Sequence, residues 1–101
     1  MKNYVLLYHV DGPMEDTEER NADWGAWFES LGDMLVDGGN PFNPEAEAKI
    51  SNGHIDHETD TVGGYSVIKA NTLNEAIALA KTCPLATAPG CAVKVYETMP
   101  M

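Results

Sequence analysis

The sequence predicts an α+β fold in which four strands form an antiparallel sheet and two helices cover one of its faces. Three observations lead to this prediction. Residues 4–10 form an apolar run of β-formers, residues 24–35 carry apolar side chains at helical spacing, and residues 63–97 read as strand, helix and strand. The 101 residues suffice for one small core, so residues 1–101 are predicted to form a single domain.

Composition and charge limit the classes of partner. Sixteen acidic and six basic residues give a formal net charge of −10, and 44% of the residues are hydrophobic, as in a folded domain. Nucleic acid and anionic membrane both require Lys and Arg to neutralise phosphate, so we expect neither as a partner. The acidity is interpreted as a self-repelling surface.

Cysteine content and hydropathy indicate the compartment. Cys83 and Cys91 are too few for a disulfide framework, and the N-terminal apolar run is too short for a signal peptide. No segment approaches the length of a transmembrane helix. The sequence therefore predicts a cytoplasmic protein with reduced thiols, and no motif in it predicts a cofactor.

The first predicted strand, residues 4–10, is apolar at nearly every position. Such a run is typical of a central strand that is covered on both faces. His9, near its end, has two open interpretations: a hydrogen-bonded core histidine, or a cleft group that titrates near neutral pH. Residues 11–13 are predicted to end the strand with a turn.

The acidic run at residues 15–19 is predicted to open the first helix. The helix dipole favours negative charge in the first turn, and Asp16 or Thr17 could cap the helix. The run could also form a cation site, but acidic runs are more often solvated helix starts, which is the interpretation we favour.

A broad apolar stripe predicts the body of the first helix. Its members recur at helical spacing: Trp24, Trp27, Phe28, Leu31, Met34 and Leu35. Residues 37–39 are predicted to end this helix. Two tryptophans one turn apart indicate either core or dimer-interface packing, or an aromatic wall of a pocket. Because an indole N–H needs a partner, one of them is suited to the edge of a cleft.

The middle of the chain predicts an extended segment followed by a hairpin. Prolines stiffen residues 40–44, residues 45–51 alternate weakly and are interpreted as the second strand, and Asn-Gly at residues 52–53 favours a tight turn. His54 and His57 offer metal-ligand chemistry, but strand residues three apart point to opposite faces. No metal site is predicted, and the hairpin tip is interpreted as polar and exposed.

The closing unit, residues 63–97, has the clearest pattern in the chain. Its helix opens with a capping box formed by Thr72 and Glu75. Alternation along the two flanking strands, residues 63–70 and 92–97, places Tyr65, Lys94 and Tyr96 on one face of the sheet.

In chain order, the predicted elements follow the β-α-β-β-α-β pattern of the ferredoxin-like fold. Such a sheet carries helices on one face only. An open face with tyrosine and valine side chains needs a partner. We expect a homodimer in which the open sheet faces of two copies meet and enclose a cavity.

Short motifs are spread along the whole chain: residues 1–8, 24–28, 37–41 and 63–67, the helix opening at 71–80, Cys-Pro at 83–84 and the strand at 93–97. Together they resemble the YCII-related (YciI-like, DGPF-related) family of dimeric α/β-barrel proteins. Most of these motifs are glycine turns, caps and core positions. The resemblance therefore implies a fold, a dimeric α/β barrel of ferredoxin-like domains, more than a chemistry.

The resemblance has limited functional implications. Some members are encoded near sigma-factor-like regulators or fused to them, and one relative resembles a dehydrochlorinase that acts on a chlorinated hydroxyquinol. Several members carry a histidine–aspartate pair on the first helix. In this chain residues 22–24 include no histidine, and Asp33 is the residue that could serve as the aspartate, so the pair is incomplete.

Two functional hypotheses follow. In the first, the protein is a dimeric small-molecule-binding or sensing module with a cleft between the sheet and the first helix. The cleft would be lined by aromatic and amide side chains: Trp24, Trp27, Asn40, Phe42 and Tyr65.

In the second hypothesis, the protein is a lyase- or isomerase-type enzyme that uses acid–base chemistry. Asp23 would be the base, His9 or Tyr65 would be its proton partner, and Trp27 would stack on an aromatic substrate. This hypothesis requires Asp23 and His9 to reach one point of a common cavity.

Overall fold

The structure, a computed structural model, describes residues 1–10, 17–57 and 60–100. Within these residues the chain has an α+β fold with two α-helices, a four-stranded sheet and a two-stranded ribbon. The elements in chain order are β1 (Lys2–His9), α1 (Glu18–Leu31), β2 (Leu35–Asp37), β3 (Lys49–Ser51), β4 (His54–Asp56), β5 (Val62–Ala70), α2 (Leu73–Ala80) and β6 (Ala92–Glu97).

The main sheet has the strand order β2-β5-β1-β6, and every neighbouring pair is antiparallel. This arrangement is compatible with a ferredoxin-like fold. The predicted central position of the first strand is confirmed, because β1 pairs with β5 on one side and with β6 on the other.

One face of this sheet forms the core. Alternate residues of the central strands are buried under the helices: Tyr4, Leu6, Tyr8, Ser66, Ile68 and Ala70. Both helices contribute to the same cluster, α1 through Trp27 and Leu31, and α2 through Ala76 and Ala80. The Nε1 of Trp27 donates a hydrogen bond to Thr82 Oγ1 over 2.9 Å, which ties α1 to the end of α2.

The prediction for the end of the first helix was wrong. The helix ends at Leu31, because Gly32 has a φ of +54° and its N–H caps the Glu29 carbonyl. A short 3₁₀ turn, Gly32–Met34, leads directly into β2. Met34 and Leu35 still pack against the core, so these two apolar residues continue the helical spacing although they lie beyond the helix.

The first helix begins as predicted at one of its two candidate caps. Thr17 accepts a hydrogen bond from the Arg20 backbone N–H at 3.1 Å. The other candidate, Asp16, and the turn predicted at residues 11–13 lie outside the described residues.

The strand predicted at residues 45–51 forms only over Lys49–Ser51, and its predicted place as the second strand of the main sheet was wrong. The strand that pairs with β5 is β2, whereas β3 pairs with β4 in a separate ribbon. Ile50 and Ile55 of this ribbon are 74% and 65% exposed, so the ribbon does not pack into the core beneath the main sheet. The Asn-Gly turn is confirmed, since Asn52 and Gly53 both have positive φ.

The closing unit matches its prediction closely. Thr72 Oγ1 accepts from the Glu75 backbone N–H at 3.2 Å, and Glu75 Oε2 accepts from Asn71 N at 3.2 Å. The second half of the capping box therefore reaches one residue further back than expected.

The second face of the sheet, which we call the open face, lies away from both helices. It carries Val5 and Leu7 of β1, Val67 of β5, and Tyr96 of β6, which is 45% exposed. The helices thus cover the first strand on one face, where the sequence predicted cover on both. None of the helices in residues 1–10, 17–57 and 60–100 is long and apolar enough to cross a membrane.

Candidate functional site

A cavity of about 360 Å³ lies between α1, the segment after β2 and the start of β5; we call it the α1 cavity. Its volume falls within the range of pockets that bind small molecules. The described residues that line it are Tyr8, Asn21, Trp24, Gly25, Phe28, Gly38, Gly39, Asn40, Pro41, Gly63, Gly64, Tyr65 and Ser66.

Helix α1 supplies one wall of the cavity. Asn21, Trp24, Gly25 and Phe28 are spaced at i, i+3, i+4 and i+7, so they share one face of the helix. A Cβ atom added at Gly25 would meet no atom within 4 Å. The missing side chain therefore leaves space at the wall, although glycine inside a helix costs about 1 kcal/mol relative to alanine.

The segment after β2 forms the rim of the cavity. It runs beside β5 and is held there by two backbone bonds, Phe42 N to Gly63 O at 2.8 Å and Tyr65 N to Asn40 O at 3.4 Å. Gly39 has a φ of +73°, and a Cβ there would stand 1.7 Å from the Tyr65 carbonyl oxygen. The glycines predicted to end a helix instead allow this close approach.

A chain of hydrogen bonds lies at the floor. The Tyr8 hydroxyl donates to Ser66 Oγ at 2.8 Å, and Ser66 Oγ donates to the Gly38 carbonyl at 2.7 Å. Burial raises the pKa of Tyr8 to about 12, although the bond to Ser66 acts in the opposite direction. The Tyr8 hydroxyl therefore keeps its proton at neutral pH.

Aromatic rings hold the wall in position. Trp24 packs edge-on against Tyr8 with ring centroids 5.0 Å apart, and its ring is tilted by 35° against Phe28 at 5.8 Å. Trp27 packs edge-on behind Trp24 at 5.7 Å. The rings of the wall are therefore packed against one another in the absence of a ligand.

The structure brings together part of the predicted ligand site. Trp24 and Asn40 line the α1 cavity, and so does Tyr65. The register pairs Tyr65 with Leu7, however, so the Tyr65 side chain lies on the opposite face of β5 from Ser66. Trp27 does not line it, because Trp27 is 4% exposed and its Nε1 is bonded to Thr82. Phe42 stacks on the Tyr65 ring with centroids 5.8 Å apart and lines a second cavity beside the ribbon.

Sequence reasoning missed several lining residues: Tyr8, Asn21, Gly25, Phe28 and Ser66. Helical spacing from Trp24 could have identified the three on α1. Strand alternation could have placed Tyr8 and Ser66 on the helix side of the sheet, but their partner Gly38 could not be inferred while residues 37–39 were interpreted as a helix end.

The structure does not bring Asp23 and His9 together. Asp23 is exposed on α1 and does not line the α1 cavity. His9 lies on the open face, on the opposite side of β1 from Tyr8, and its Nδ1 is 2.8 Å from Thr61 Oγ1. An acid–base role for either residue stays a prediction to which the geometry adds no support.

Metal-binding chemistry is likewise dispersed in the part of the chain that the structure describes. There, no group of three or more His, Cys, Asp or Glu side chains is placed to hold a metal ion. His54 and His57 are exposed at the ribbon, and the Nδ1 of His57 is 3.2 Å from the Glu47 carbonyl. Burial raises the pKa of the Cys83 thiol, which keeps it protonated.

Fold and cavity together define an α+β domain with a candidate site for a small molecule. Comparison with models of known protein families and with curated proteins finds no match for this chain. The resemblance to the YCII-related family therefore stays a prediction that rests on the motifs named above.

Proposed function

We propose that this protein is a YCII-related small-molecule-binding or sensing module, and that the α1 cavity is its ligand site. The observation that carries the proposal is a cavity of about 360 Å³ with aromatic walls and a few polar groups. Apolar pockets with a small number of convergent polar groups are typical of ligand sites.

Preorganisation supports this assignment. The rings of Tyr8, Trp24 and Phe28 restrict one another, and the rim is bonded to β5. A site that is already ordered loses little conformational entropy when a ligand binds. Gly25 also leaves room at the wall, although the folded chain has space for a side chain at this position.

We also propose that the protein acts as a ferredoxin-like homodimer, a dimeric α/β barrel joined through the open face. Val5, Leu7 and Val67 lie on this face of the two central strands, away from the helices. A second sheet packed on these side chains would bury them as in a two-layered sheet sandwich.

Filling the α1 cavity tests the ligand site. In Gly25→Leu the new side chain enters the cavity, and in the matched control Ala26→Leu it lies on the exposed surface of the same helix. We expect aromatic compounds to raise the melting temperature of the wild type and of Ala26→Leu in a thermal-shift screen. Gly25→Leu should bind the same compounds at least about tenfold more weakly, because the leucine occupies their space.

Equal binding by Gly25→Leu and Ala26→Leu would show that the compounds bind elsewhere. Circular dichroism of both variants checks that each remains folded, and leucine is a good helix former at both positions.

A further inference from the structure

We infer that the α1 cavity selects neutral, planar compounds that carry an N–H or O–H donor, and that Tyr8 Oη accepts the hydrogen bond from that donor. This inference rests on the proposed function, since it names the class of ligand for the same cavity.

The direction of the hydrogen-bond chain makes Tyr8 an acceptor. The Gly38 carbonyl has no proton, so Ser66 must donate in the 2.7 Å bond between them. This uses the only hydroxyl proton of Ser66. Tyr8 must therefore donate its own proton to Ser66 over 2.8 Å, and its oxygen has only lone pairs left for a further partner.

The two amide side chains at the wall impose no direction on a ligand hydrogen bond, whereas the Trp24 Nε1–H, which is buried without a partner among the described residues, can only donate. Asn21 and Asn40 line the cavity, and an amide side chain can both donate and accept. Tyr8 is different because Ser66 and Gly38 hold its proton in place. A ligand acceptor placed against Tyr8 Oη would meet a second acceptor, and a ligand donor would meet a complementary lone pair.

The lining also disfavours charge. Of the described residues that line the cavity, none is Asp, Glu, Lys, Arg or His. Burial raises the pKa of Tyr8 to about 12, so the floor is neutral as well. A charged ligand would lose hydration without gaining an ionic partner, and the formal net charge of −10 further repels anions.

The shape of the wall favours a flat ligand. The Trp24 and Phe28 rings are tilted by 35° with centroids 5.8 Å apart, and Tyr8 meets Trp24 edge-on. Flat rings gain favourable stacking or edge-to-face contacts against such a surface.

Two matched pairs of compounds test the inference. Indole and benzofuran have nearly the same shape, but benzofuran lacks the N–H donor. Indole-3-carboxamide and indole-3-carboxylate differ in charge at neutral pH. Dissociation constants from ligand-observed NMR titrations should favour indole over benzofuran by about tenfold, as expected for one net hydrogen bond. The carboxamide should bind more tightly than the carboxylate.

Two variants test whether Tyr8 causes the preference for indole over benzofuran. In Tyr8→Phe the ratio between indole and benzofuran should fall to about one, because the acceptor is lost. Tyr4→Phe is the control, since Tyr4 is a fully buried tyrosine on the same face of β1 whose hydroxyl bonds to Glu97 instead. Tyr4→Phe should keep the tenfold ratio.

The outcomes separate the two proposals. Equal binding of indole and benzofuran by the wild type, or tighter binding of the carboxylate, would overturn the ligand class and leave the cavity as a site. Failure of all four compounds to bind would overturn the proposed function together with this inference. The wild-type comparisons decide the ligand class even if Tyr8→Phe fails to fold.

Discussion

Gly39 shows how one backbone position shapes the candidate site. Its φ of +73° lies in the left-handed region, and the Tyr65 carbonyl oxygen occupies the place where a Cβ would stand. The rim of the α1 cavity can approach β5 only because this residue has no side chain. Gly64 makes the matching approach from β5, where a Cβ would lie 3.0 Å from the Asn40 carbonyl oxygen.

Gly39→Ala is therefore expected to destabilise the protein strongly. The collision with backbone atoms of β5 should lower the free energy of unfolding by about 3 kcal/mol or more. Gly53→Ala is the matched control, because Gly53 has a similar φ of +79° with no atom within 4 Å of the added Cβ. It should lose only about 1 kcal/mol from backbone strain.

Urea denaturation of both variants measures the difference. Equal losses for Gly39→Ala and Gly53→Ala would contradict the close approach at the rim, since backbone strain alone would then explain both.

At the scale of elements, local patterns predicted the closing unit well. Alternation and a capping box defined β5, α2 and β6, because their signals lie within each element. The pattern of β2 was not recognisable in the same way. The strand Leu35–Asp37 has only three residues, which is too short for a recognisable alternation. Its apolar residue Leu35 also continues the helical spacing of the preceding helix.

The cavity was predictable only in part for the same reason. Trp24 was predicted as a lining residue because a large aromatic side chain with an N–H group is suited to the wall of a pocket. The hydrogen-bond chain from Tyr8 through Ser66 to Gly38 joins residues far apart in the chain, so it depends on strand order and register. A single sequence does not contain that long-range pairing explicitly.

Gly25 of helix α1 allows a further prediction about stability, because its position combines a poor helix former with empty space. Gly25→Ala should raise the free energy of unfolding by about 0.5 to 1 kcal/mol, because alanine is the better helix former and its methyl meets no neighbour. Ala26→Gly, one position along the same helix, should lose a similar amount. Urea denaturation measures both, and a destabilising Gly25→Ala would mean that the wall is already filled.

At the scale of the whole molecule, both helices of the described residues cover the same face of the sheet. The open face carries apolar side chains on both central strands, which is the arrangement expected of a surface that meets another layer. The α1 cavity, which is the proposed ligand site, lies on the opposite face, against α1. Dimerisation and ligand binding can thus be tested separately.

Size-exclusion chromatography with light scattering at micromolar concentration should give twice the 11.0 kDa mass of one chain. Leu7→Lys should shift the protein to the monomer mass, because it replaces an apolar side chain at the centre of the proposed interface with a charged one. Ile55→Lys, on the exposed ribbon, should remain dimeric. A wild-type protein that is monomeric under these conditions would contradict the proposed homodimer.

The most direct test of the ligand site is a titration of the ¹⁵N-labelled protein with indole, followed by two-dimensional NMR. The two tryptophans give separate indole N–H signals, of which Trp24 belongs to the cavity wall and Trp27 to the core behind it. We predict saturable shifts at the Trp24 indole and at the Gly25 and Gly39 amides, with Gly53 of the ribbon unchanged. Shifts confined to the ribbon or the open face, or no shifts at millimolar indole, would contradict the α1 cavity as the ligand site.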